Sequence, residues 1–241
     1  MVRFLSKDGR IYYGDAIGSD LTHITQARVI QGRPWEKHEV TDRVKDVRML
    51  LAPLAQEDIR TVRCLGLNYE QHANESNMPI PKHPILFYKP TTSVAGPFDN
   101  IPVSTAAQIP GLDYECELVA VIGREGSNIP ESEALSYVAG YCIGNDVSHR
   151  EWQLKLGGGQ WSLGKGFDGW APMGPGIVSS KIIKDPQSLR IFTKVNGKTV
   201  QDSNTRDQIF GVAKTISALS EGTTLLPGDL IFTGTWVTSF Q

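Results

Sequence analysis

The chain has 241 residues, 40% of them hydrophobic and 21% charged, with a formal net charge of -2. That length suits one large globular domain with at most a small appendage, and the near-neutral charge leaves no electrostatic case for nucleic acid or an anionic membrane. No apolar run approaches the roughly 20 residues of a membrane span, and Met1–Gly9 shows neither a signal-peptide apolar region nor an extended amphipathic targeting pattern. Cys64, Cys116 and Cys142 are odd in number and widely spaced, which fits a reducing compartment and no zinc site. A cytoplasmic location is the expectation, with a mitochondrial one left open.

In chain order, residues 2–18 read as a hairpin turning at Asp8-Gly9. Residues 1–60 form a small β-rich lead-in, and residues 61–241 form the main domain. Val62–Leu67 reads as a short strand, and Asn68–Asn77 as one or two helical turns. Pro79, Pro81 and Pro84 then exclude regular helix or central strand, leaving an ordered loop or lid. Ile85–Tyr88 is a strand closed by Pro90, and 113–123 is a strand entering the core. Glu131–Ala139 is a short helix, Tyr141–Gly144 a strand, and Ser148–Leu156 a helix ending at Gly157-Gly158-Gly159. Leu189 to Val200 carries Asn196-Gly197, the sequence of a type I′ hairpin. Ile209, Val212, Ala213, Ile216 and Leu219 form a helical stripe ended by Gly222. Many short strands and few helices give a β-rich α+β fold.

Asp113, Glu115 and Glu117 fall on one face of the predicted strand, in line with Val119 and Val121. Burying like charges is costly unless a cation sits among them. Asp146 lies 29 residues after Glu117 at the end of another apolar strand. Glu115, Glu117 and Asp146 together suit a hard, oxygen-preferring cation, and a solvated, salt-bridged edge strand is the alternative. Arg150 and Gln153 are three apart and share a helix face, where they fork onto a substrate carboxylate or Arg150 pairs back to Asp146 or Glu151. His149 reads as a helix-surface residue. Gly159-x4-Gly164-Lys165 approaches a phosphate-binding loop but fails at Gly166, where Ser or Thr is needed, and no apolar strand precedes it. Lys165 is either a cation that holds an enolate or carboxylate or a surface lysine. His72 and Glu75, three apart, meet on a helical turn, where the carboxylate would orient the imidazole for water activation.

The ordered set Gly66–His72 with Glu75, Pro84–Pro90, Asp113–Leu118, Asn145–Arg150, Gln160–Asp168, Val195–Gly197 and Thr233–Thr235 resembles the fumarylacetoacetate hydrolase family, in its fumarylacetoacetase-domain-containing branch. The resemblance implies a mixed β-sandwich roll, a homodimer, and Mg²⁺ or Mn²⁺ held by Glu115, Glu117 and Asp146. It further implies His72 with Glu75 as a water-activating pair on a lid, Lys165 as the enolate-stabilising lysine, and Arg150, Gln153 and Thr235 as contacts to a small 2-oxo or 1,3-dicarbonyl acid. Hydrolytic C–C cleavage of an acylpyruvate is the first expectation. Oxaloacetate decarboxylation or keto–enol tautomerisation follows, because Trp161–Asp168 looks most like the oxaloacetate-linked branch. After Thr235 the sequence runs Trp236 to Gln241 where the family continues through further strands. A form lacking its last C-terminal strands, or a non-catalytic remnant, is therefore a third expectation.

Overall fold

The computed structural model describes all residues except 19, 22, 76–78 and 237–241, and of His72, Asn74 and Glu75 it describes the backbone alone. Strands β1 (Val2–Ser6), β2 (Ile11–Ala16), β3 (Gln26–Gln31) and β4 (Glu39–Leu50) close into a small barrel, with β1 paired to both β2 and β4. The Asp8-Gly9 turn forms as predicted, Gly9 adopting φ 84°, a value open to glycine because it lacks a Cβ. Val2, Phe4, Ile24, Ala27 and Leu50 fill the barrel.

The chain continues through β5 (Val62–Gly66), β6 (Ile85–Lys89), β7 (Val94–Ala95), β8 (Leu112–Asp113), β9 (Cys116–Ile122), β10 (Gly126–Ser127), β11 (Val138–Asn145), β12 (Ser148–His149), β13 (Ala171–Ser179), β14 (Arg190–Val195), β15 (Lys198–Asn204), β16 (Thr224–Leu225) and β17 (Leu230–Phe232). Helices are short: α1 (Glu70–Glu75), α2 (Ser162–Lys165), α3 (Val212–Ser220), a 3₁₀ segment Glu131–Tyr137 and a π-helical turn Trp152–Leu156. The fold is β-rich with few helices, as composition and patterning predict. No helix among the described residues is long and apolar enough to cross a membrane.

Seven strands make the main sheet, in the order β6-β5-β17-β9-β11-β13-β7. It is mixed: β17 runs parallel to β5 and antiparallel to β9, and β13 runs parallel to β7. All seven residues of β9 are buried, because both faces of this central strand are covered. Leu118, Ala120 and Ile122 join the cluster under α3, with Ile216 and Leu219. Val119 and Val121 face the other way, against Phe87, Cys64, Phe232 and Leu54.

Two predicted elements differ from the structure. The strand expected over 113–123 is broken at Tyr114-Glu115. Asp113 pairs with Ser148 in the β8–β12 ladder. The Glu115 N–H donates to Asn145 Oδ1 at 2.9 Å, and its carbonyl accepts from the Asp146 N–H at 2.9 Å. These bonds satisfy the backbone outside any ladder, so the chain bends there at no hydrogen-bonding cost. The helix expected over 148–156 begins only at Arg150, since Ser148 and His149 are held by β8. His149 is accordingly buried, with Nε2 at 3.0 Å from the Ile109 carbonyl, and is not on a helix surface.

Candidate metal centre

Glu117 leaves β9 on the Val119 face, Asp146 follows β11, and Glu115 occupies the bend before β9. Their ligand atoms lie within 4.8 Å of one another, and all three side chains are buried. Burying one unpaired carboxylate costs several kcal/mol, more than the roughly 1.5–3 kcal/mol that a buried Val or Ile returns. Local cations must therefore compensate, and three do. Lys165, only 2% exposed, donates to Glu115 Oε2 at 2.7 Å and to Asp146 Oδ2 at 2.8 Å. It is a site cation and not a surface lysine. Arg150 Nη1 lies 2.6 Å from Glu115 Oε1. Lys89 Nζ lies 2.6 Å from Asp146 Oδ1.

Arg150 is aimed by Asp113, whose Oδ2 accepts from Nε at 3.0 Å and from Nη2 at 2.7 Å. Arg150 Nη1 also donates to Gln153 Oε1 at 2.8 Å. The predicted Arg150–Gln153 pairing on one face is thus present. Neither Asp146 nor Glu151 takes the Arg150 fork. The π-helical turn that carries Gln153 packs tightly on α2: a Cβ on Gly164 would stand 2.5 Å from the Gln153 nitrogen. This close approach sets Gln153 and Lys165 side by side.

Asp113, Glu115, Glu117 and Asp146 supply four acids against Lys89, Arg150 and Lys165. Among the described residues, the acid of these four without a cationic partner is Glu117. Its Oε2 accepts from the Gly234 N–H at 2.7 Å, and its Oε1, fully buried, has no hydrogen-bond partner among the described residues. Burial, reinforced by the charges of Asp146 and Glu115, raises the Glu117 pKa well above the usual carboxylate value. For Glu115 burial acts upward too, but Lys165 and Arg150 overcome it and bring the pKa down to about 2. Burial alone would lower the Lys165 pKa; Asp146 and Glu115 reverse that and raise it, so the ammonium stays charged. A buried, unmatched carboxylate oxygen among two further carboxylates fits a hard divalent cation, which takes oxygen ligands.

Thr235 is buried, and its Oγ1 accepts from Gln201 Nε2 at 3.0 Å. Gly234 sits against Asn68, whose amide donates to the carbonyls of Thr233 at 2.7 Å and Phe210 at 3.0 Å. Asn68 thereby joins the start of α1 to the peptide that holds Glu117. His72 and Glu75 both lie on α1, three residues apart, and their side chains fall outside the described residues. A cleft of about 560 Å³ runs along the Cys116 side of β9 with Ile143 and Phe192, and none of the three carboxylates lines it.

Lys89, Asp113 in its bonds to Arg150, and Asn68 are neighbours of the candidate site that the sequence alone does not single out. A signal for Lys89 was present: in β6 Phe87 and Lys89 share a face by alternation, and both are buried.

The model of the family domain described as fumarylacetoacetate (FAA) hydrolase C-terminal matches residues 61–240. The chain belongs to the fumarylacetoacetate hydrolase family. Among its relatives is the mitochondrial oxaloacetate tautomerase FAHD2A of Bos taurus, 43% identical over 185 residues, which are 77% of this chain and 58% of the relative. The chain spans about 58% of the length of the curated relatives it matches. A 5-carboxymethyl-2-hydroxymuconate delta-isomerase from Mycobacterium smegmatis superposes with a TM-score of 0.83 at 33% identity, covering 97% of this chain and 87% of that one. A fumarylpyruvate hydrolase from Pseudomonas aeruginosa, solved with Mn²⁺ and pyruvate, superposes with a TM-score of 0.67 at 37% identity over 73% of this chain and 78% of that one. Family members with these names thus include tautomerases, isomerases and hydrolases.

Proposed function

We propose that this member of the family is a divalent-metal-dependent enzyme that takes a 2-oxo acid through its enolate, with keto–enol tautomerisation of an oxaloacetate-type substrate as its reaction. The observation that carries the reading is the buried Glu115–Glu117–Asp146 cluster, with one Glu117 oxygen unmatched by any hydrogen-bond donor. These three residues would hold Mg²⁺ or Mn²⁺. Such a cation, when bound, supplies Lewis-acid polarisation and a template for a 2-oxo carboxylate.

The remaining chemistry belongs to the chain. Lys165 uses two of its three N–H bonds on Glu115 and Asp146. The third would donate to the substrate oxygen on which enolate charge develops. Arg150 holds Gln153 by its Oε1, which turns the amide nitrogen of Gln153 toward a substrate carbonyl. Arg150 itself would meet a substrate carboxylate at the edge of its fork, and Thr235 would line the same end of the site. In tautomerisation the enol hydroxyl loses its proton and the adjacent carbon gains one, so atoms balance within the substrate and one exchangeable proton. The His72–Glu75 pair on α1 is the proposed proton carrier.

Tautomerisation is placed ahead of C–C hydrolysis because the relatives named oxaloacetate tautomerase share 43% identity with this chain. Hydrolysis is the second reading, favoured by the likeness to the fumarylpyruvate hydrolase. There His72 would activate water for attack on the distal carbonyl, and the leaving carbon would depart as an enolate. The reading keeps the division into residues 1–60 and 61–241, and a homodimer in the cytosol or a mitochondrion. Calorimetric titration with Mn²⁺ tests the site, and the ultraviolet decay of enol-oxaloacetate, alongside loss of acetylpyruvate and fumarylpyruvate, tests the chemistry. Binding with accelerated enol decay is expected. A protein that binds neither Mn²⁺ nor Mg²⁺ and turns over none of the three would overturn the proposal.

A further inference from the structure

Lys89 stands at the end of β6 with its side chain wholly buried, where an unpartnered ammonium would be prohibitively costly. Its Nζ donates to the carbonyls of Val147 and Trp170, each at 3.0 Å, and to the carbonyl of Lys165. These carbonyls belong to three separate segments: the turn after β11, the end of α2, and the entry to β13. A lysine ammonium has three N–H bonds, and all three are taken. The same Nζ is 2.6 Å from Asp146 Oδ1, yet that oxygen accepts no hydrogen bond. Lys89 therefore gives Asp146 positive charge without giving it a proton donor, and the lone pairs of Oδ1 remain open. The other oxygen, Oδ2, accepts the hydrogen bond from Lys165.

We propose that Lys89 is a positioning residue of the site: a three-carbonyl clamp that fixes the separation of Asp146 from Lys165 and holds Asp146 Oδ1 free of hydrogen bonds for a cation. The inference rests on the metal-site reading above. Lys89 does not touch substrate. It acts through the two residues that do the chemistry, binding one by its charge and the other by its backbone. Its exposed neighbour Tyr88 and buried neighbour Phe87 show that β6 delivers Lys89 to the site face by strand alternation. Phe87 extends the same support, its ring centroid 4.9 Å from Lys165 Nζ.

The test is a pair of variants, Lys89→Met and Lys89→Arg, in the full chain, each measured for Mn²⁺ dissociation constant by calorimetry and for kcat and KM on enol-oxaloacetate. Residues that orient metal ligands typically alter affinity or activity by about 10–100-fold when replaced. K89M is expected to weaken Mn²⁺ at least about 10-fold and to lower kcat with little change in KM. K89R keeps the charge, but a flat guanidinium does not converge on three carbonyls around one nitrogen. It is expected to fold and to remain weakened in Mn²⁺ affinity. Native Mn²⁺ affinity in a folded K89M, or full recovery of affinity and kcat in K89R, would overturn the clamp. If K89M does not fold, K89R decides; if neither folds, Lys89 is a folding residue alone and the proposal falls. A native protein that binds no Mn²⁺ sinks the reading of the site along with this inference, whereas native binding with unchanged variants sinks this inference alone.

Discussion

Two arginine–aspartate pairs in this protein use the same two guanidinium nitrogens, Nε and Nη2, and differ in their surroundings. On the β14–β15 hairpin, Arg190 donates from Nε to Asp202 Oδ1 at 2.9 Å and from Nη2 to Oδ2 at 2.5 Å, with the side chains 66% and 43% exposed. In the site, Arg150 donates from the same two nitrogens to a single Asp113 oxygen, Oδ2, with both side chains 6% exposed. The surface fork competes with water and is screened by salt. The buried fork cannot exchange its partner for water, so each of its members depends on the other. Pairing geometry alone therefore says little about what an ion pair does; its surroundings decide.

The sharpest way to break the comparison is at the acid that has no fork. Glu117→Gln keeps an acceptor for the Gly234 N–H but removes the charge. Mn²⁺ binding and enol turnover are expected to fall below detection, while the unfolding midpoint of the metal-free protein does not fall. Retained Mn²⁺ binding by calorimetry would contradict the ligand assignment. Next in size is Asp113→Ala, which takes one acid away from a buried Arg150 that still pairs with Glu115. Urea unfolding is expected to show a loss of about 3 kcal/mol, with substrate KM raised because Arg150 turns further onto Glu115. Arg150→Lys keeps the charge and removes the fork. It is expected to cost about 1.5 kcal/mol by the same measurement, and a cost as large as that of Asp113→Ala would show that the charge matters less than the fork. At the small end, Arg190→Ala should leave the urea midpoint unchanged; a clear shift would mean that the hairpin fork is not the solvated pair its exposure implies.

Much of the site is legible in the sequence, for reasons that can be stated. Glu117 follows from alternation into Val119 and Val121, and Asp146 from its place at the end of an apolar strand; both signals are local. The Glu115 bend is not legible, because the bonds that permit it come from Asn145 and Asp146, some 30 residues away. Asp113 reads as one more acid until its partner, 37 residues later, is folded beside it. The π-helical turn at Trp152–Leu156 has the composition of an ordinary helix, and only its packing on Gly164 distinguishes it. The β-rich class, the Asp8-Gly9 and Asn196-Gly197 turns, and α3 were readable because each rests on short-range pattern. In the hairpin, Asn196 and Gly197 adopt φ 50° and 79°, as a type I′ turn requires.

The sheet order has a consequence for how this chain comes to be folded. β17, the last of the described strands in sequence, lies in the middle of the main sheet between β5 and β9. A nascent chain that has emerged only as far as β15 holds β5 and β9 with a strand-wide gap between them. Each presents an unpaired row of backbone groups that another chain can occupy. Contacts of such long sequence separation also form slowly. Glu117 waits for the same event, since its carboxylate accepts from the N–H of Gly234, two residues past β17. The centre of the sheet and the carboxylate cluster should therefore acquire protection from hydrogen exchange together and late, after the N-terminal barrel, when refolding is followed by pulse labelling.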